Sequence, residues 1–150
     1  MKFLLDTSVV AGLINYERDE YRLIFANFSM VRHDEIGISS IVLLELENGL
    51  HLLKKSLMPK EQKAFIRQRT EIFLDNITIL PFEAAAARET AKLMNFCRQN
   101  GRQLQDRDAC IAGHAISAGM TLVSADRRAF GSLVYPGLTW MDWQDRIVFH

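Results

Sequence analysis

The sequence predicts an α/β protein, a three-layer sandwich in which a central, mainly parallel sheet is flanked by helices. Short apolar runs alternate with longer stretches of helical periodicity along all 150 residues, which is the pattern of parallel strands joined by helical crossovers. The balance of 49% apolar and 24% charged residues is that of a chain able to bury one core. There is no internal repeat and no linker rich in Gly, Ser or Pro, so residues 1–150 read as a single domain.

The elements follow in order. Lys2 to Leu5 is the first strand, and a helix opens at Thr7. A second helix is expected across Arg18 to Phe28, inside a mixed-charge segment from Tyr16 to Glu35 that is the least readable part of the chain. Ile36 to Ser39 is the second strand. The helix from Ile41 to Leu57 carries a core stripe of Val42, Leu46, Leu50, Leu53 and Leu57 at about 100° per residue. Pro59 suits the start of the next helix, which runs to Asp75. Ile77 to Leu80 is the third strand, followed by a helix over Glu83 to Gln99 and another from about Asp108 to Ala118. Thr121 to Ser124 is the fourth strand and Leu138 to Trp140 a fifth.

Charge and composition exclude several classes. With 18 basic and 18 acidic residues there is no global positive field, so an RNA partner requires local basic clusters. No stretch approaches the roughly 18 apolar residues of a membrane span, and Asp6 interrupts the apolar start too early for a signal peptide. Cys97 and Cys110 form no CxxC, which points to a reducing cytoplasm and not to a thiolate site.

Acidic residues fall where such a sheet places its chemistry, at the carboxyl ends of the strands. Asp6 directly follows the first strand and reads equally as a functional carboxylate or as the cap of the following helix. Asp126, just after the fourth strand, reads equally as a turn residue. Glu45 borders the apolar stripe of its helix, and a carboxylate there must find a partner or lose its charge. Asp108 lies in register with Ile111, Ala112, Ala115 and Gly119, small or apolar residues of one inward face, whereas Asp106 is expected to cap that helix from outside.

These segments carry a resemblance. Leu4-Leu5-Asp6-Thr7-Ser8, the run Ser39 to Gly49 around Glu45, Asp108 to Ala115, and Thr121 to Asp126 resemble, in order and spacing, the acidic motifs of PIN-domain ribonucleases of the VapC type, the toxin half of VapBC toxin-antitoxin pairs. Leu138-Thr139-Trp140 with Asp142-Trp143 is similar to their closing strand and tail. The chain departs from the pattern at Gln105-Asp106-Arg107 and at Ser124-Ala125-Asp126, which bears on the loops and not on the acids. The resemblance implies a PIN-domain fold and a metal-dependent endoribonuclease whose products carry a 5′-phosphate and a 3′-hydroxyl. It further implies Asp6, Asp108 and Asp126 as ligands of Mg2+, with Mn2+ as a substitute, and Glu45 as a ligand or as base for the attacking water. A homodimer that joins a small VapB-like antitoxin is also implied.

Oxygen-only donors select hard cations, and none of the four histidines sits at ligand spacing to another, so zinc is disfavoured. His114, turned away from Asp108 on its helix, is read as a packed or surface residue. Thr7, Ser8 and Ser124 are placed to orient the carboxylates. Arg102, Arg107, Arg127 and Arg128 are the cations nearest the acids in sequence, equally readable as RNA contacts or as a solvated face. The apolar Ile41 to Leu57 helix is the expected border of an antitoxin groove. Two other readings of the same scaffold remain: a catalytically inactive PIN module that binds RNA or protein, and a free-standing RNA-processing nuclease. An aspartyl-nucleophile phosphatase would want an acid two residues after Asp6, where Ser8 stands.

Overall fold

The computed structural model describes residues 1–15, 17–147 and 149. Its sheet is built from β1 (Phe3–Leu5), β2 (Ile36–Ser39), β3 (Thr78–Leu80), β4 (Thr121–Val123) and β5 (Trp140–Met141), all parallel, in the order β3-β2-β1-β4-β5. The expected α/β sandwich is the one observed. β1 and β2 are buried along their whole length, since helices cover both faces of a parallel sheet and leave no face for polar side chains. β1 pairs Phe3, Leu4 and Leu5 with Ile36, Gly37 and Ile38 on one side and with Thr121, Leu122 and Val123 on the other.

The helices are α1 (Thr7–Ile14), α2 (Arg22–Met30), α3 (Ser40–Lys55), α4 (Lys60–Asn76), α5 (Ala84–Gln99), α6 (Asp106–Ala118) and a short α7 (Arg127–Phe130). Among the described residues, none is long and apolar enough to cross a membrane. The chain winds outward from β1 through β2 to β3, then returns through α5 and α6 to β4 on the far side of β1. Strand order therefore reverses between β1 and β4, and a crevice opens beyond their carboxyl ends.

Two details of packing place the crevice walls. α6 lies against α5 at Gly113, where an added Cβ would stand 2.1 Å from Thr90 Oγ1, so the close approach depends on a missing side chain. α5 ends in a Schellman motif: Gly101 turns left-handed at φ 64°, Arg102 N–H donates to Cys97 O at 2.8 Å and Gly101 N–H to Arg98 O at 3.3 Å. This directs residues 102–105 back toward the start of α6.

Several expectations shift. The second helix is a 3₁₀ turn (Asp19–Tyr21) followed by α2, which starts and ends later than expected; Tyr16 lies outside the described residues. Leu57, expected on the core stripe of α3, is fully exposed beyond a helix that ends at Lys55, while Val42 and Leu46 are buried as expected. The fifth strand is Trp140–Met141. Beyond it the tail is tied down by buried Trp143, edge-on to Phe3 at 5.5 Å, and by Asn27 donating to the carbonyls of Trp143 and Asp145.

Candidate active site

Asp6 leaves β1 in an extended conformation and caps α1, accepting from Val9 N–H at 3.2 Å, so its two readings describe one residue in one position. It is only 4% exposed and also accepts from the Ser8 hydroxyl at 2.5 Å. Burial pushes its pKa upward, hydrogen bonds from Ser124, Ser8 and Val9 oppose the rise, and the charge of Asp126 adds to it. Ser8 is doubly engaged, since its oxygen accepts from Ala125 N–H at 3.0 Å and so joins the end of β1 to the loop after β4.

Asp108 stands in the first turn of α6, half-buried, on the face that carries buried Ile111, Ala112 and Ala115. Its carboxyl is pushed up to about 6, first by burial and then by the charges of Asp126, Asp6 and Glu45. All four expected acids thus share one electrostatic environment. Asp106 is not the cap that its position suggested: α6 begins at Asp106 itself, after Gln105, which makes no side-chain cap bond. Acids are favoured in a first turn by the helix dipole, so the helix extends two residues before its apolar pattern starts. Asp106 is exposed.

Glu45 projects from α3, with its Oε1 accepting from Thr7 Oγ1 at 2.8 Å and its Oε2 3.9 Å from Arg107 Nη1. Asp126 caps α7, a helix not expected from the sequence: its Oδ1 accepts from Ala129 N–H at 3.0 Å, and its own N–H donates to Ser124 Oγ at 3.0 Å. Thr7, Ser8 and Ser124 therefore each touch one of the acids or its backbone.

The four arginines divide. Arg107 sits by Glu45, and Arg128 lines a cleft of about 210 Å³ together with Gln105, Asp108 and Asp126. Arg127 instead ion-pairs with buried Asp142 and with Asp145 at 2.8 Å, holding the tail. Arg102 donates to Ser132 Oγ and to Ala129 O, both at 3.0 Å, and ties the α5–α6 loop to α7. Residues missed from sequence are Gln103, Leu104 and Gln105, which line the cleft beside Asp108; their adjacency to the third acid was the available signal. Of the two readings of His114, packed or surface, the packed one holds: it is buried, 2.8 Å from Ser39 Oγ and edge-on to Phe82, with burial lowering its pKa.

The donor set fits a hard divalent cation. It is made of carboxylate oxygens, and at Asp6 and Asp108 burial and neighbouring acids penalise the charged form, a cost that a bound dication removes. Among the described residues no group of three or more acids, histidines or cysteines is drawn together closely enough to hold a metal ion by itself. An open site completed by water is what Mg2+ accepts, and it lacks the imidazole or thiolate donors that zinc prefers.

Residues 3–133 match the PIN domain family, to which this chain belongs. Its relatives there are VapC proteins. Ribonuclease VapC2 of Rickettsia felis is 32% identical over 144 residues, 95% of this chain and 98% of the relative. The tRNA(fMet)-specific endonuclease VapC of Shigella flexneri is 33% identical over 143 residues, again 95% and 98% of the two chains. Among solved structures, VapBC2 from Rickettsia felis bound to a promoter DNA fragment superposes with a TM-score of 0.75 at 29% identity, over 95% of this chain and 99% of that one. FitAB bound to a DNA fragment shares the fold, with a TM-score of 0.79 at 20% identity over 99% of both chains.

Proposed function

We propose that this chain is the toxin of a toxin-antitoxin module, an endoribonuclease that hydrolyses RNA phosphodiester bonds in the cytoplasm with Mg2+ held by Asp6, Asp108, Asp126 and Glu45. The observation that carries the reading is the elevated carboxyl of Asp108, raised first by burial and then by the charges of Asp126, Asp6 and Glu45, at the point where strand order reverses. Family membership and the ribonuclease names of the relatives support it.

Bound Mg2+ supplies an acidified water and neutralises charge on the scissile phosphate. The protein's part is placement. Ser8, Ser124 and the Val9 N–H hold Asp6 in one orientation, and the Thr7 hydroxyl fixes one oxygen of Glu45. The other oxygen of Glu45 takes the proton of the attacking water. Arg107, beside Glu45, and Arg128, in the cleft with Asp108 and Asp126, are the cations placed to meet phosphate oxygens. Attack of water at phosphorus releases the 3′ oxygen, leaving a 5′-phosphate and a 3′-hydroxyl.

The partner is a small VapB-like antitoxin, since similar structures are VapBC complexes. An apolar hollow of about 310 Å³ lies between α1, α2 and α4, lined by Leu13, Ile14, Phe25, Phe28, Ile72 and Phe73. A second, of about 320 Å³, continues it past Phe28 and Ile72 to Ile77. An apolar antitoxin helix occupies this groove, in place of the groove expected beside α3, and a Lys or Arg beyond it reaches the acids. Leu44 and Leu52, 54% and 61% exposed on α3, then remain for the homodimer.

Incubating the purified protein with initiator tRNA and with total RNA, in EDTA and after Mg2+ addition, tests the activity. Cation-dependent strand scission supports it, and intact RNA with every cation contradicts it.

A further inference from the structure

Beside the acidic cleft runs a larger groove of about 650 Å³, under the end of α5 and along the α5–α6 loop. Its charged lining is entirely basic, Arg98 and Arg102. Gln103, Leu104 and Gln105 line both this groove and the cleft at Asp108 and Asp126, so the two adjoin along this loop. We propose that the groove is an extended subsite for the substrate strand, in which Arg98 binds a phosphate of single-stranded RNA away from the scissile bond, a role that rests on the ribonuclease reading of the neighbouring acids.

Three properties of the groove select this occupant. Its cations continue from a cleft that holds Asp108, Asp126 and Arg128, so a polyanion with one phosphate at these acids meets positive charge along its next segment. Arg98 is exposed and makes no ion pair among the described residues, which leaves its guanidinium available for a phosphate. Exposed Gln103 and Gln105 present amides that both donate and accept, the chemistry that reads unpaired base edges, while half-buried Met94 and Leu104 supply an apolar floor.

The walls are fixed before substrate arrives. The Schellman turn at Gly101 sets the path of the loop, and Arg102 pins it to α7 through Ser132 and Ala129. Arg102 thus supplies positive charge from a held position, and Arg98 is the cation free to move onto the strand. A duplex has its base edges paired and its backbone stiff, and it gains less from such a groove than a single strand does.

Fluorescence anisotropy of a labelled single-stranded RNA of about twelve nucleotides, measured in EDTA so that no cleavage intervenes, tests the subsite. Arg98→Gln is expected to weaken binding about threefold to tenfold and to flatten the slope of log Kd against log salt by about 0.7, the loss of one phosphate contact. Arg98→Lys should recover most of the affinity, and Lys60→Gln, an equal charge loss on exposed α4, should change neither quantity. Equal affinity for wild type and Arg98→Gln, or an equal loss in Lys60→Gln, overturns the subsite even if the enzyme cuts RNA. Arg98-dependent binding by a protein that cuts no RNA upholds the subsite and refutes the nuclease reading instead. Circular dichroism confirms that each variant is folded.

Discussion

Thr7 donates a 2.8 Å hydrogen bond to Oε1 of Glu45, joining the first turn of α1 to α3 across 38 residues of sequence. The threonine thereby holds Oε1 and leaves Oε2, 3.9 Å from Arg107 Nη1, as the other oxygen of Glu45. Thr7→Val removes the donor at nearly constant volume and should lower kcat about tenfold or more, the usual effect of losing a group that orients an active carboxylate. Thr7→Ser keeps the donor and should stay near wild type. Equal activity in Thr7→Val would show that Glu45 needs no such support.

Asp106 and Asp108 lie two residues apart in the same first turn, one exposed and one half-buried among acids. Asp108→Asn should slow RNA cleavage on the order of a hundredfold or more, as when charge aimed at a transition state is removed. Asp106→Asn should cleave at nearly the wild-type rate. The reverse pattern would assign the third functional acid to Asp106.

The raised carboxyl of Asp108 also links to stability. Its folded pKa, about 6, lies above the ordinary 3.8, so the fold holds its proton more tightly than the unfolded chain does. That contribution is fully present below the unfolded value and is lost as pH rises through the folded one. In metal-free protein, the denaturation midpoint of Asp108→Asn relative to wild type should therefore increase from about pH 4 to about pH 7. Added Mg2+ should raise the wild-type midpoint and leave the variant's nearly unchanged. Parallel pH curves for the two proteins would contradict the burial of Asp108 among the other acids.

Gly113 faces Thr90, whose Oγ1 already donates to Ala86 O at 2.7 Å. Gly113→Ala places a methyl group where no room exists and should destabilise by about 1–3 kcal/mol through forced separation of α5 and α6. Chemical denaturation measures this directly, and a neutral result would mean that the helix pair is free to part.

Ile72 is 55% exposed at the lip of the α1–α2–α4 groove. Ile72→Glu should abolish recovery of a co-expressed small partner while leaving RNA cleavage intact, because the groove is separate from the acids. Undiminished recovery would move the partner elsewhere, and the absence of any small protein encoded beside this chain would favour a free-standing nuclease.

Strand positions were legible because buried parallel strands are short apolar runs, as Phe3–Leu5 and Ile36–Ser39 are. The acids were legible because each stands at a strand end or in phase with an apolar helix face. What sequence spacing did not reveal depended on distant partners. Arg127 adjoins Asp126 in the chain, yet Asp142 and Asp145 claim it. The start of α6 at Asp106 and the short helix α7 are set by first-turn acids and by the Asp126 cap, which carry no apolar period. The groove at Arg98 forms only when the α5–α6 loop folds back, as Gly101 and Arg102 direct.

Asp6 is the most buried of the four acids and the one most fully held by hydrogen bonds. The rate of RNA cleavage by wild type and Asp6→Asn, each in EDTA, Mg2+ and Mn2+, tests the central claim most directly. Wild type should cleave only with added Mg2+ or Mn2+, and Asp6→Asn, with an unchanged circular dichroism spectrum, should be at least about a hundredfold slower with either ion. Cleavage by wild type in EDTA, or by Asp6→Asn at the wild-type rate, would contradict a metal-dependent nuclease built on these carboxylates.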